Sequence, residues 1–148
     1  MKVRVQAGPF DFGAEAAAFA EGHHDMGAVV TFTGIVRDVE GGLDRMEIEH
    51  YPGMTEKALE AHAGEAMARF GLGDVLVIHR HGSLRPGEMI MMVATAAPHR
   101  ADAFQGAEFL MDYLKSRAPF WKKEFTRTGG TGEWVAAKDQ DEDALSRW

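Results

Sequence analysis

Two apolar periods alternate along this chain, and segments with period two outnumber those with period 3.6. Residues 2–6 alternate as a short strand, and residues 27–37 (GAVVTFTGIVR) are rich in β-branched side chains that suit a long one. Gly34 inside that run predicts a bulge or a close backbone approach. Residues 45–51 place Met46, Ile48 and His50 on one face and Glu47, Glu49 and Tyr51 on the other. Residues 75–81 and 88–97 read as further strands, the second largely apolar and so buried, with Met89, Met91 and Met92 as core filling. Period 3.6 governs residues 11–19, where Asp11 suits an N-cap. It also governs residues 55–70, with Leu59, Ala63, Ala66, Met67 and Phe70 as the stripe, and residues 100–115, with Phe104, Ala107, Met111 and Leu114. Pro119 forbids continuation of that last helix, and residues 120–127 return to period two. Gly129, Gly130 and Gly132 predict a turn into a last strand around Trp134 and Val135, and residues 139–148 a short helix or a loose tail. Short turns at Gly41-Gly42, Pro52-Gly53 and Arg85-Pro86-Gly87 join neighbouring elements. The pattern predicts an α+β fold, a mostly antiparallel sheet with helices packed on it, in one domain over residues 1–148. No phosphate-binding glycine motif opens a helix after a strand, which argues against a doubly wound fold.

The residues present and missing narrow the chemistry. Cysteine is absent from all 148 positions, so the chain has no disulfide, no thiolate metal ligand and no cysteine nucleophile. It cannot carry sulfur as its own persulfide. A net charge of −7 disfavours a general nucleic-acid binder. Against that acidic background Lys115, Arg117, Lys122, Lys123 and Arg127 cluster, which predicts a local anion site. The first residues resemble no secretory signal and no apolar run reaches membrane-spanning length, so the cytoplasm is the expected location. Seven histidines are present, but no H-E-x-x-H pairs them. His79 and His81 sharing a strand face is weak ground for a metal. No metal and no cofactor are expected.

The segment MDYLKSRAPFWKKE, residues 111–124, is the most informative. Lys115 lies at a helix end, where a cation complements the helix dipole whether or not it does anything else. Past Pro119 the period of two puts Phe120, Lys122 and Glu124 on one face and Trp121, Lys123 and Phe125 on the other. Lys122 and Lys123 therefore do not point into one site. A lysine against packed apolar surface loses pKa and becomes a usable acid, base or nucleophile; a lysine on an edge strand can also simply reach along it to water. Spacing alone favours the second reading. His-Arg recurs at 79–80 and 99–100. The second pair precedes a helix, whose free N–H groups together with Arg100 suit a phosphate, and Arg37 can join them. A capping role for His99 fits the local pattern equally well. Arg80 can equally pair with a carboxylate such as Glu49 at the surface.

In that order, GAVVTFTGIVR, EHYPGMTEKALEAHAGEA (residues 49–66), VIHRHGSLRPGE (77–88), PHRADAF (98–104) and MDYLKSRAPFWKKE resemble the large subunit of molybdopterin synthase, the MoaE family. The resemblance covers most of the chain, and its last two stretches together are specific. It implies the family's α/β hammerhead arrangement. It implies a sulfurtransferase that converts cyclic pyranopterin monophosphate into the molybdopterin dithiolene, in molybdenum cofactor biosynthesis. The sulfur would arrive as a thiocarboxylate on the C-terminal glycine of a small ubiquitin-like carrier subunit (MoaD-like). A homodimer of this chain would bear one small subunit at each end, a heterotetramer. Carried over position by position, Lys115 and Lys122 match the catalytic lysines. Arg37, His99 and Arg100 match positions that bind the pterin and its phosphate. Lys123 and Glu124 complete the substrate-contact segment with Lys115 and Lys122, and Ile35 and Val36 supply contacts beside Arg37. The absence of cysteine agrees with sulfur that never rests on this chain. Two other readings remain open at this level: a docking module for a ubiquitin-like tail without chemistry, and another phosphate-ester-binding transferase.

Overall fold

The computed structural model describes residues 1–129, 134–136 and 138–148. In chain order the elements are β1 (Lys2–Gln6), α1 (Phe12–Ala20), β2 (Ala28–Ile35), β3 (Leu43–His50), α2 (Met54–Phe70), β4 (Asp74–Arg80), β5 (Gly82–Leu84), β6 (Met89–Ala97), α3 (Arg100–Ser116), β7 (Phe120–Thr126) and α4 (Asp139–Leu145). They form two sheets. The larger has strand order β1-β4-β6-β2 and the smaller β5-β3-β7. Only β1 and β4 pair in parallel among the described residues; the other ladders are antiparallel. The α+β architecture expected from the two periods is the one observed.

Strands β4 and β6 occupy the middle of the larger sheet and are covered on both faces, which is why they read as unbroken apolar runs. Along β4, Val75 and Val77 face a core shared with Leu59, Ala63 and Ala66 of α2 and Leu110 and Leu114 of α3. The alternate residues Leu76 and Ile78 face Phe19 of α1, together with Met92, Ala94 and Ala96 of β6. Helix α1 starts where Asp11 accepts from the Ala14 N–H. Helix α2 ends at Gly71, whose left-handed φ of 64° a side chain would resist. The register of β2 against β6 shifts at Gly34/Ile35, the irregularity expected at that glycine.

Four expectations are corrected. Phe104 is not core: it is 58% exposed. The buried stripe of α3 runs one position earlier, through Ala103, Gly106, Ala107, Leu110 and Leu114, because the helix approaches its neighbour at a residue without a side chain. A Cβ on Gly106 would lie 2.7 Å from a Leu72 methyl. Met89, at the start of β6, is 37% exposed, unlike Met91 and Met92. Arg80 is buried and does not pair with Glu49. Its guanidinium donates to the Ala7 carbonyl, the Met89 carbonyl and Glu88. The last strand reduces to a single bridge between Trp134 and Lys123; Gly130 and Gly132 of the expected turn lie outside the described residues. Of the two forms expected for residues 139–148, the helix is present. Trp148 behind it packs edge-on against Phe70 and Phe109.

Candidate functional site

Helix α3 and strand β7 build the site between them. The helix stops because the Arg117 and Ala118 N–H groups both turn back to the Tyr113 carbonyl, at 2.8 and 3.0 Å, and Pro119 follows. Buried Thr55 then fixes the exit: its hydroxyl donates to the Pro119 carbonyl at 3.2 Å and accepts from the Tyr51 N–H at 2.9 Å. The chain reverses into β7, whose Lys122 returns beside Lys115, the penultimate residue of α3.

Lys115 and Lys122 together line two cavities. One, of about 150 Å³, opens towards Ser116, Lys138 and Asp141. The other is a narrow cleft of about 40 Å³ walled by Phe32, Ile35, Met91, Met111 and Leu114, with His79 as its remaining polar side chain. Burial pushes the Lys122 ammonium down to about 8, the nearby charge of Lys115 adds to the fall, and Asp141 opposes it. A lysine so placed is partly neutral near physiological pH and can take up or release a proton there. β7 is an edge strand, as that reading supposed, but Lys122 lines the two cavities beside Lys115. Lys123 lies on the opposite face, as period two requires, with its ammonium 4.0 Å above the Trp134 ring.

The remaining sequence-derived positions divide into two groups. Ile35 lines the narrow cleft with the lysines. Val36 is 2% exposed and belongs to the core. Its backbone is held by the Glu88 carbonyl and the Gly87 N–H, so Val36 fixes where exposed Arg37 emerges. Glu124 shares the Lys122 face one strand repeat further on. His99 and Arg100 stand apart. His99 occupies the N-cap position of α3 without a capping bond from its side chain, and Arg100 follows it. At 1.5 Å rise per residue, Arg100 is about 22 Å from Lys115 along the same helix. A single chain does not bring these two residues to the lysines. His79, which the sequence offered only as a weak metal candidate, does reach the cleft.

The α+β fold thus brings two lysines, from a helix end and the strand that follows it, to one partly buried cavity of a kind suited to an anionic group. The chain belongs to the MoaE protein family, whose family model matches residues 5–117. It is 68% identical to the molybdopterin synthase catalytic subunit of Cereibacter sphaeroides, over the full length of both chains. The MoaE molybdopterin biosynthesis protein of Burkholderia ambifaria superposes with a TM-score of 0.83 at 51% identity, covering 100% of this chain and 98% of that one. Molybdopterin synthase from Staphylococcus aureus gives a TM-score of 0.80 at 29% identity, covering 90% and 96%.

Proposed function

We propose that this chain is the catalytic subunit of molybdopterin synthase, a cytoplasmic sulfurtransferase, and that Lys115 and Lys122 are its catalytic residues. The observation that carries the assignment of residues is the convergence of Lys115 and of a desolvated Lys122 on one cavity. Family membership supports the reaction, and no described helix is long and apolar enough to cross a membrane.

In this reading the C-terminal thiocarboxylate of a small ubiquitin-like subunit enters between the two lysines. Its sulfur attacks a side-chain carbon of cyclic pyranopterin monophosphate, and as the C–S bond forms that carbon's bond to oxygen breaks, the oxygen leaving on the phosphate or, protonated, as water. Water then attacks the acyl carbon, the acyl C–S bond breaks, the sulfur stays on the pterin, and the small subunit leaves as a carboxylate. A second transfer completes the dithiolene. The Lys115 ammonium holds the acyl oxygen as negative charge grows on it. Neutral Lys122 takes the proton from the attacking water. Arg37 and Glu124 flank the site, and Lys123 contacts substrate or partner from the outer face of β7. His99 and Arg100, at the far end of α3, serve the phosphate of a pterin held by a second copy of the chain, so the site is shared across a homodimer.

Reconstitution tests the reading. The chain is mixed with thiocarboxylated small subunit and cyclic pyranopterin monophosphate, and dithiolene product is quantified. Product formation is expected. Tight binding of the small subunit with no product would reduce the chain to a docking module.

A further inference from the structure

His79 is 2% exposed, at the end of a central strand, and its ring lines the narrow cleft beside Lys115 and Lys122. Two contacts fix it. The ring stacks on Phe120, with centroids 3.7 Å apart and planes 16° from parallel. Nδ1 lies 2.7 Å from the Arg80 carbonyl oxygen. A carbonyl oxygen only accepts, so Nδ1 carries the hydrogen and Nε2 keeps a lone pair. Burial, and then the charges of Lys122 and Lys115, push the imidazolium down to about 3, so this tautomer persists throughout the physiological range. Among the described residues no donor reaches Nε2. The other polar side chains of the cleft, Lys115 and Lys122, only donate when charged. The cleft thus sets one fixed neutral acceptor beside two lysines that can donate to an anion, Lys122 being able to release its proton near pH 8. Its volume of about 40 Å³ admits a slim group of a few atoms, since a single water needs roughly 10–15 Å³.

We propose that His79 is a further ligand-binding residue of this site, its Nε2 accepting a hydrogen bond from an amide-type N–H of the group that enters the cleft while the lysines hold that group's anionic end. The proposal rests on the molybdopterin synthase reading. That reading offers two sources of such an N–H: the terminal peptide of the small subunit's tail, and the ring edge of the pterin.

The test uses the complete large subunit with ¹⁵N-labelled histidine, titrated in one arm with small subunit alone and in the other with cyclic pyranopterin monophosphate alone. The Nε2 resonance of His79 is expected to move upfield, from the range of a bare imidazole nitrogen, in one arm, and that arm names the source. In parallel, turnover is measured for wild type, His79→Phe, which keeps the stacked ring, and His79→Gln, which restores an acceptor near the position of Nε2. Loss of one neutral hydrogen bond lowers kcat/KM about tenfold in His79→Phe, with His79→Gln recovering part of it. Melting temperatures of both variants show that each is folded. An unmoved Nε2 resonance in both arms, wild-type kcat/KM in His79→Phe, or equal loss in the Phe and Gln variants would each overturn the proposal and leave His79 a packing residue. Failure of wild type to make product would instead sink the underlying reading of the reaction.

Discussion

Lys122→Met should stabilise this protein while abolishing its activity. Burial and the neighbouring Lys115 lower the Lys122 ammonium from its ordinary 10.5 to about 8. At about 1.36 kcal/mol for each tenfold change in protonation, keeping that side chain charged in the folded state costs about 3 kcal/mol at pH 7. A methionine of similar length has no charge to desolvate and none to repel Lys115. Unfolding free energy at pH 7 is therefore expected to rise by up to about 3 kcal/mol, which for a chain of this size raises Tm by about 6–12 °C. The pH dependence carries the sign. The folded state sheds the Lys122 proton near pH 8, whereas the unfolded chain holds it to about 10.5. Between those values the unfolded state binds more protons, so wild-type stability gains a rising contribution that the variant lacks. The advantage of Lys122→Met should be complete below pH 8 and fade by about pH 10.5. Urea unfolding of both proteins at equal concentration, at pH 7 and at steps from 8 to 10, gives the comparison. No gain at pH 7, or a difference that stays constant across the range, would refute a desolvated Lys122.

Other consequences follow from the same contacts. His79, lowered from 6.5 to about 3, contributes stability that is full above pH 6.5 and lost as pH falls. About 2 kcal/mol of it should disappear between pH 7 and pH 5, and His79→Phe should flatten that part of the stability–pH curve. Thr55→Val strands the part-buried partners of its hydroxyl, the Tyr51 N–H and the Pro119 carbonyl. It should cost about 1–3 kcal/mol in denaturant melts and lower turnover by loosening the start of β7. Gly106→Ala drives a methyl into Leu72; about 1–3 kcal/mol of overpacking is offset by about 1 kcal/mol of helix propensity, so a net loss of about 0–2 kcal/mol is expected in denaturant melts. If the site is shared across a dimer, inactive Lys122→Ala and inactive Arg100→Ala proteins, unfolded and refolded together, should recover roughly a quarter of wild-type activity. Random pairing puts the variants in mixed dimers half the time, with one intact site in each.

How far the sequence reached depended on how local each feature was. The period of two past Pro119 separated inward Lys122 from outward Lys123, because side-chain alternation in a strand is a local rule. Gly34 announced its bulge and Asp11 its cap for the same reason. The length of α3 was also readable, and with it the separation of Arg100 from Lys115 within one chain, since a helix advances by a fixed rise per residue. Arg80 does meet a surface carboxylate, but it is Glu88 and not Glu49, and its carbonyl partners at Ala7 and Met89 come from distant segments that only the β1-β4-β6 pairing assembles. The place of His79 in the cleft was hidden for a similar reason: Phe120 and Lys122, which define its surroundings, arrive from another sheet. Phe104 was misassigned because an apolar residue one position off the buried stripe fits a helical period almost as well. Three-residue β5 is too short to show any period.

The central claim is that Lys115 and Lys122 carry out the chemistry and do more than dock a partner. Single-turnover dithiolene formation, measured for wild type, Lys115→Ala and Lys122→Ala with small-subunit affinity determined on the same samples, tests it most directly. Both variants are expected to bind the small subunit within a few-fold of wild type and to lose turnover by about a hundredfold or more, the scale of an acid–base or anion-stabilising group. Variants that turn over at the wild-type rate once the partner is saturating would contradict the claim and place the chemistry on other residues.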